Sequence, residues 1–256
     1  MTKNRKISLA VFSVLLSALL ILSGFMIYKE LSGRQKEKED FVELAELVQI
    51  TPSEQPQPDE SNAPADDELE SPRRRDLVPL FVQNSDCIGW ICVHDTAINY
   101  PVMHTPENPQ KYLRRNFYGE YSQNGVPFLD YRCNLQSDHL IVYGHNMKNG
   151  TMFSGLRNYT DPVFCAGHPT IELQTAEGAE KYTVFAVAAV QKTDAWYSFI
   201  HAADSTEFTG QIETVMQKSL YDIGITPVLG QQIITLSTCY GSGKDGRLVV
   251  AVIKTQ

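Results

Sequence analysis

The chain has 256 residues, 43% of them hydrophobic and 20% charged, with a formal net charge of -8. That balance suits one globular domain with appendages and a normal core. The acidic charge excludes the basic footprint that nucleic-acid binding needs. There are five cysteines, with no C-x-x-C pair and no zinc-type His–Cys cluster, which argues against a disulfide-stapled or metal-stapled scaffold. Cys87, Cys92, Cys133 and Cys165 are expected to pack as small apolar residues.

Residues 1–6 are short and basic, with Lys3, Arg5 and Lys6. Residues 7–28 carry no charge and match the roughly 20 residues needed to span a bilayer. The run is long for a signal-peptide core and no A-x-A site follows it, so it reads as an uncleaved anchor. The basic tail places the N-terminus in the cytoplasm and the body outside. Residues 29–50 turn charged and then amphipathic, with Phe41, Leu44, Ala45 and Val48 at helical spacing, as in a short stalk helix. Residues 51–72 are rich in Pro, Glu, Asp and Ser and read as an extended linker. Arg73, Arg74 and Arg75 read as a solvated helix start. The folded domain is expected over residues 73–256.

About eight strands are predicted in that domain, at 88–93, 98–102, 125–130, 139–143, 170–174, 181–191, 231–236 and 247–254. Pro101 demotes the second to an edge or a bend. Short helical pieces are expected at 152–157 and 161–165, and a longer helix at 205–221. No βαβ alternation appears, so the fold class is mostly β: an antiparallel barrel or sandwich with inserted helices.

The stretch Ile233-Ile234-Thr235-Leu236-Ser237-Thr238-Cys239 reads as a buried strand that ends on a thiol. The turn-rich run Gly241-Ser242-Gly243-Lys244-Asp245-Gly246 follows, and then Arg247 opens the last strand. Two antiparallel strands joined by that loop bring Cys239 and Arg247 to the same end of a sheet. A cation beside a thiol favours the thiolate that nucleophilic catalysis requires. Against this, a strand-end cysteine is more often a small buried hydrophobe. Of six histidines, His145 in Tyr143-Gly144-His145-Asn146-Met147 sits in a turn at a strand end, where sheets display functional groups. His139 begins that strand and reads as structural or solvated. His94, His104, His168 and His201 read as surface histidines.

Taken together, T-L-S-T-C, the downstream Arg247 and Y-G-H-N-M resemble the sortase family, and class B in particular. Further matching segments are Gly89-Trp90-Ile91, Asn99-Tyr100-Pro101-Val102, Lys111-Tyr112-Leu113, Phe128-Leu129-Asp130-Tyr131-Arg132 and Gly150-Thr151-Met152-Phe153, in family order from about residue 84 to residue 253. The resemblance implies a closed eight-stranded β-barrel with N-terminal helices and a helix-containing insertion between strands six and seven, here roughly 193–226. It implies a membrane-anchored cysteine transpeptidase of Gram-positive bacteria. Such enzymes cleave a C-terminal sorting signal of secreted proteins, resembling N-P-x-T-x or S-P-x-T-G in class B, and join the new carboxyl end to an amino group of peptidoglycan. No metal or other cofactor is implied.

By the same resemblance Cys239 is the nucleophile, His145 the proton partner and Arg247 the oxyanion or substrate-backbone donor. Ser237 shares a strand face with Cys239 and corresponds to a substrate contact, with a structural hydroxyl as the competing reading. Leu113 corresponds to a groove-lining position. Asn108 stands near a family asparagine, displaced by an extra residue, and Tyr240 occupies a position that is polar or acidic in some relatives. Arg114, Arg115 and Arg132 read as surface charges. The sequence leaves open a pilin-polymerising enzyme with a lysine acceptor. A tethered wall-binding module without catalysis would have no need of Cys239, His145 and Arg247 together.

Overall fold

Eight strands close into a barrel: β1 (Cys87–Cys92), β2 (Asn99–Met103), β3 (Phe128–Leu129), β4 (His139–Tyr143), β5 (Thr170–Thr175), β6 (Ala179–Gln191), β7 (Ile233–Cys239) and β8 (Gly246–Lys254). The computed structural model describes residues 3–48, 50–51 and 74–255. Around the barrel the order is β8-β6-β5-β1-β2-β3-β4-β7, with β7 returning to β8. Six pairings are antiparallel; β2–β3 and β4–β7 are parallel. Runs such as Leu248-Val249-Val250-Ala251-Val252 are wholly buried, as expected for β-branched and apolar residues inside a closed sheet.

The strand around 98–102 is interior to the barrel order, yet it tolerates Pro101 for the reason an edge would. Beyond β1, β2 meets only the two-residue β3, through Met103 opposite Phe128. Most of its second side makes no ladder, so a missing N–H costs little. The strand expected over 125–130 is correspondingly reduced to Phe128–Leu129.

Between β6 and β7 lies the anticipated insertion, with a 3-10 turn at Ala195–Ser198 and a helix at Ser205–Gln217. Asp204 caps that helix by accepting from the N–H groups of Thr206 and Glu207, and Phe208, Ile212 and Val215 form its buried face. The piece expected at 152–157 is a 3-10 run, Phe153–Thr160, and Pro162–Gly167 follows as a short helix capped by Asp161.

Two compact units divide at Glu43 and Leu44. A single helix, Lys3–Leu47, covers both the anticipated anchor and the stalk. Within it Leu15–Gly33 is long and apolar enough to cross a membrane. At its end Leu44 and Val48 are buried. Apart from Thr51, the linker expected at 51–72 lies outside the described residues. So does Arg73. Arg74–Arg75 are not a helix start: they pair with Ile50–Thr51, and the helix begins at Val78, after Leu77. Pro79 in its first turn explains the later start.

Candidate active site

The parallel β4–β7 and antiparallel β7–β8 pairings together build the site. Tyr143 stands beside Ser237 in the β4–β7 register, so His145 and Cys239, each two residues further on, leave the barrel at the same rim. Three hydrogen bonds join the two segments there. Gly144 N–H donates to the Ser237 carbonyl at 3.1 Å, Thr238 Oγ1 to the Gly144 carbonyl at 2.7 Å, and Asn146 Nδ2 to the Cys239 carbonyl at 2.8 Å. On the other side Arg247 is the direct Cα partner of Cys239. Residues opposed across an antiparallel pair face the same way.

Cys239 is exposed, whereas Cys87, Cys92, Cys133 and Cys165 are buried, and all five are free thiols. Burial pushes the Cys87 and Cys133 thiols up to about 11, so neither suits nucleophilic work. Cys239, His145 and Arg247 line one groove of about 380 Å³, with Pro109, Leu113 and Tyr197 on its walls.

His145 Nε2 donates to the Leu113 carbonyl at 2.9 Å, which fixes the neutral tautomer and leaves Nδ1 free to exchange a proton. Burial holds the imidazole below its ordinary range; the Leu113 bond opposes this and the nearby Arg114 adds to it. Gly144 is needed at its position because a Cβ there would sit 2.5 Å from the Phe153 ring. Phe153 N–H in turn donates to the His145 carbonyl.

Arg247 spends Nη1 on the carbonyls of Lys244 and Gly246, at 3.1 and 2.9 Å, which leaves Nε and Nη2. The Tyr240 N–H donates to the Gly246 carbonyl at 3.0 Å. The other fixed charges in the groove are paired: Lys192 with Asp245 at 2.7 Å, and Asp130 with Arg132 at 2.8 Å. Arg247 is therefore the groove's uncompensated fixed cation among the described residues.

The remaining expected contacts divide. Leu113 lines the groove. Ser237 does not: it is 1% exposed and shares a 2.7 Å hydrogen bond with the Tyr197 hydroxyl. Asn108 is exposed in the preceding turn, and the groove is lined by its neighbours Pro109 and Gln110 instead. Tyr240 lines other grooves, since alternation turns it away from Cys239. Arg114 and Arg115 are exposed as expected. Arg132 is exposed too, but it is not an unpaired charge. It holds Asp130 through two bonds of 2.8 Å and donates to the Tyr197 carbonyl at 2.7 Å. Tyr197, Tyr143 and Asp130 are wall residues that sequence reasoning missed.

His139 is structural. Its Nδ1 donates to the Phe199 carbonyl and its Nε2 accepts from Thr235, with Trp196 completing the chain. Burial pushes it down to about 4.

A family model described as the sortase domain matches residues 91–253. The chain is 35% identical over 182 residues to sortase B of Listeria monocytogenes, covering 69% of this chain and 73% of that one. The chain belongs to the sortase family, in class B. Among solved structures, sortase B from B. anthracis in complex with AAEK1 superposes with a TM-score of 0.71 at 29% identity, over 88% of this chain and 99% of that one. A Staphylococcus aureus sortase B–substrate complex gives 0.65 at 27%, over 70% and 83%. Sortases of this class are cysteine transpeptidases, and the eight-stranded barrel is their fold. The strand order above is thus a class B sortase barrel, with its helical insertion between β6 and β7.

Proposed function

We propose that Cys239 is the nucleophile of this sortase, His145 its proton carrier and Arg247 its oxyanion donor. The observation that carries this reading is the exposed Cys239 thiol, directly opposite Arg247 and tied through Asn146, Gly144 and Thr238 to the turn that presents His145. The donor substrate is a secreted protein with a C-terminal sorting signal resembling N-P-x-T-x or S-P-x-T-G. Its residues before the scissile bond lie in the groove walled by Leu113, Val126 and Phe128.

The thiolate attacks the scissile carbonyl carbon, and a C–S bond forms. The carbonyl oxygen takes the negative charge and accepts from the free N–H groups of Arg247, since the Tyr240 N–H is already committed to Gly246. The C–N bond breaks as imidazolium His145 gives its Nδ1 proton to the leaving amine. The acceptor amine then attacks the thioacyl carbon. Its proton passes to His145, a new C–N bond forms, the C–S bond breaks and the thiolate returns. Because burial favours neutral His145, the imidazolium needed for the first step is a minority form at neutral pH.

The acceptor is a peptidoglycan amino group. The helix that contains Leu15–Gly33 anchors the enzyme in the membrane, with the basic tail in the cytoplasm and the barrel outside. Incubation with a sorting-signal peptide library and an amine, read by mass spectrometry, tests the reading. Cleavage and amide formation are expected, with Cys239→Ala and His145→Ala losing both; full turnover by either variant would refute its role.

A further inference from the structure

The site stands on a ridge between two grooves. His145 and Cys239 line the groove described above, while the very next residues, Asn146 and Tyr240, line another of about 760 Å³. The two share no lining residue, and the Asn146 side chain crosses between them to the Cys239 carbonyl. Their chemistry differs. The first is walled by apolar and aromatic side chains with one uncompensated fixed cation. The second holds the exposed residues Lys148, Arg157 and Asn158 and a single carboxylate, Asp95.

Lys148 and Arg157 make no ion pair among the described residues. In a chain of net charge -8, two unpaired cations in one concavity form a local anion-attracting field. Asp95 sits at a φ of 58°, a left-handed conformation that sets its side chain on the tight turn bordering the groove. The groove thus offers cations for a carboxylate and one carboxylate for an ammonium group.

We propose that this second groove receives the acceptor, and that the acceptor is an amine-bearing peptide with a free carboxylate held by Lys148 and Arg157. The assignment rests on the acyl-transfer reading above. A transpeptidase must hold two substrates at one carbon, and a ridge between an apolar and a cationic groove separates a peptide donor from a charged acceptor. The amine reaches the thioacyl carbon from the Asn146 side, loses its proton to His145 and displaces the Cys239 sulfur.

The test compares two acceptors: the tripeptide L-alanyl-γ-D-glutamyl-L-lysine as the free acid, and the same peptide with its carboxylates amidated. The wild-type protein is expected to use the free acid about tenfold more efficiently, the gain from a charge-assisted contact. The double variant Lys148→Met, Arg157→Met is expected to use both alike; the two residues are exposed, so the fold tolerates the change. A wild-type enzyme with no preference, or a variant that keeps it, would overturn the assignment. Thioacyl formation at Cys239, read by intact mass without acceptor, reports separately on the acyl-transfer reading. If the wild type forms none, that reading fails and the acceptor groove falls with it.

Discussion

Cys239 and Arg247 are direct Cα partners on antiparallel β7 and β8, and the loop that joins them also holds the guanidinium. Lys244 and Gly246 carbonyls occupy Nη1, so the guanidinium is fixed before any substrate arrives. A lysine has one nitrogen and no fork, so it cannot grip the loop and keep donors aimed at an oxyanion. Arg247→Lys is expected to lower kcat by about a hundredfold or more, the usual cost of losing an oxyanion donor. Alkylation of the exposed Cys239 by iodoacetamide should persist. The two readouts together separate a lost donor from a lost thiol. A variant within threefold of wild type would remove Arg247 from the chemistry.

Gly144 is where backbone packing sets the histidine. Its Cβ position is filled by the Phe153 ring at 2.5 Å, and Phe153 is fully buried. Gly144→Ala must push either the ring or the His145 turn, at a cost of about 1–3 kcal/mol for overpacking. Both the melting temperature and kcat/KM should fall. Adding Phe153→Leu to that background should recover part of each, because the smaller side chain vacates the space. If no recovery occurs, the defect is not steric.

Much of this site was legible in the chain. The thiol, imidazole and guanidinium each follow or open a β-branched run, and strand ends are fixed by such runs. The contacts made by the insertion were not legible. Ser237 shares a face with Cys239 by alternation, as expected, but Tyr197, forty residues away in sequence, covers it. No local pattern announces that. Tyr240 is different: the alternation that puts Ser237 with Cys239 puts Tyr240 on the other side, so its displacement from the groove was readable. Arg132 is exposed, as its charge predicts, but its pairing was not legible: a turn, not a strand, brings it face to face with Asp130, and Tyr197 comes from the insertion.

His139 makes the hold on the insertion sensitive to acid. Trp196 Nε1 donates to Thr235 Oγ1, Thr235 donates to His139 Nε2, and His139 Nδ1 donates to the Phe199 carbonyl. Every group is satisfied only while the ring is neutral; a proton on Nε2 would set donor against donor. Burial lowers the imidazole from its ordinary 6.5 to about 4. Between those values the unfolded chain binds the extra proton and the folded chain does not. The contribution is therefore complete above pH 6.5 and is lost as pH falls towards 4, by about 3 kcal/mol in all. Urea midpoints at pH 7.5 and 4.5 should show a steeper fall in the wild type than in His139→Gln. Equal slopes would mean that this ring titrates freely.

Ser237 and Tyr197 should behave as one unit in substrate binding. The hydroxyls share a 2.7 Å bond under the groove, and only Tyr197 faces the groove. Tyr197 is further held by Arg132 at its carbonyl and by its stack on Tyr143, with ring centroids 6.2 Å apart. Burial, together with Asp194 and against the Ser237 bond, leaves its phenol pushed up to about 12, so it stays neutral and can donate. Ser237→Ala and Tyr197→Phe each remove one side of the same bond, and each is expected to cost about 1 kcal/mol in kcat/KM for a sorting peptide. The double variant should cost little more than either alone, giving a coupling of similar size in a double-mutant cycle. Strictly additive losses would instead mean that Ser237 touches the peptide itself, with Tyr197 moved aside in the complex.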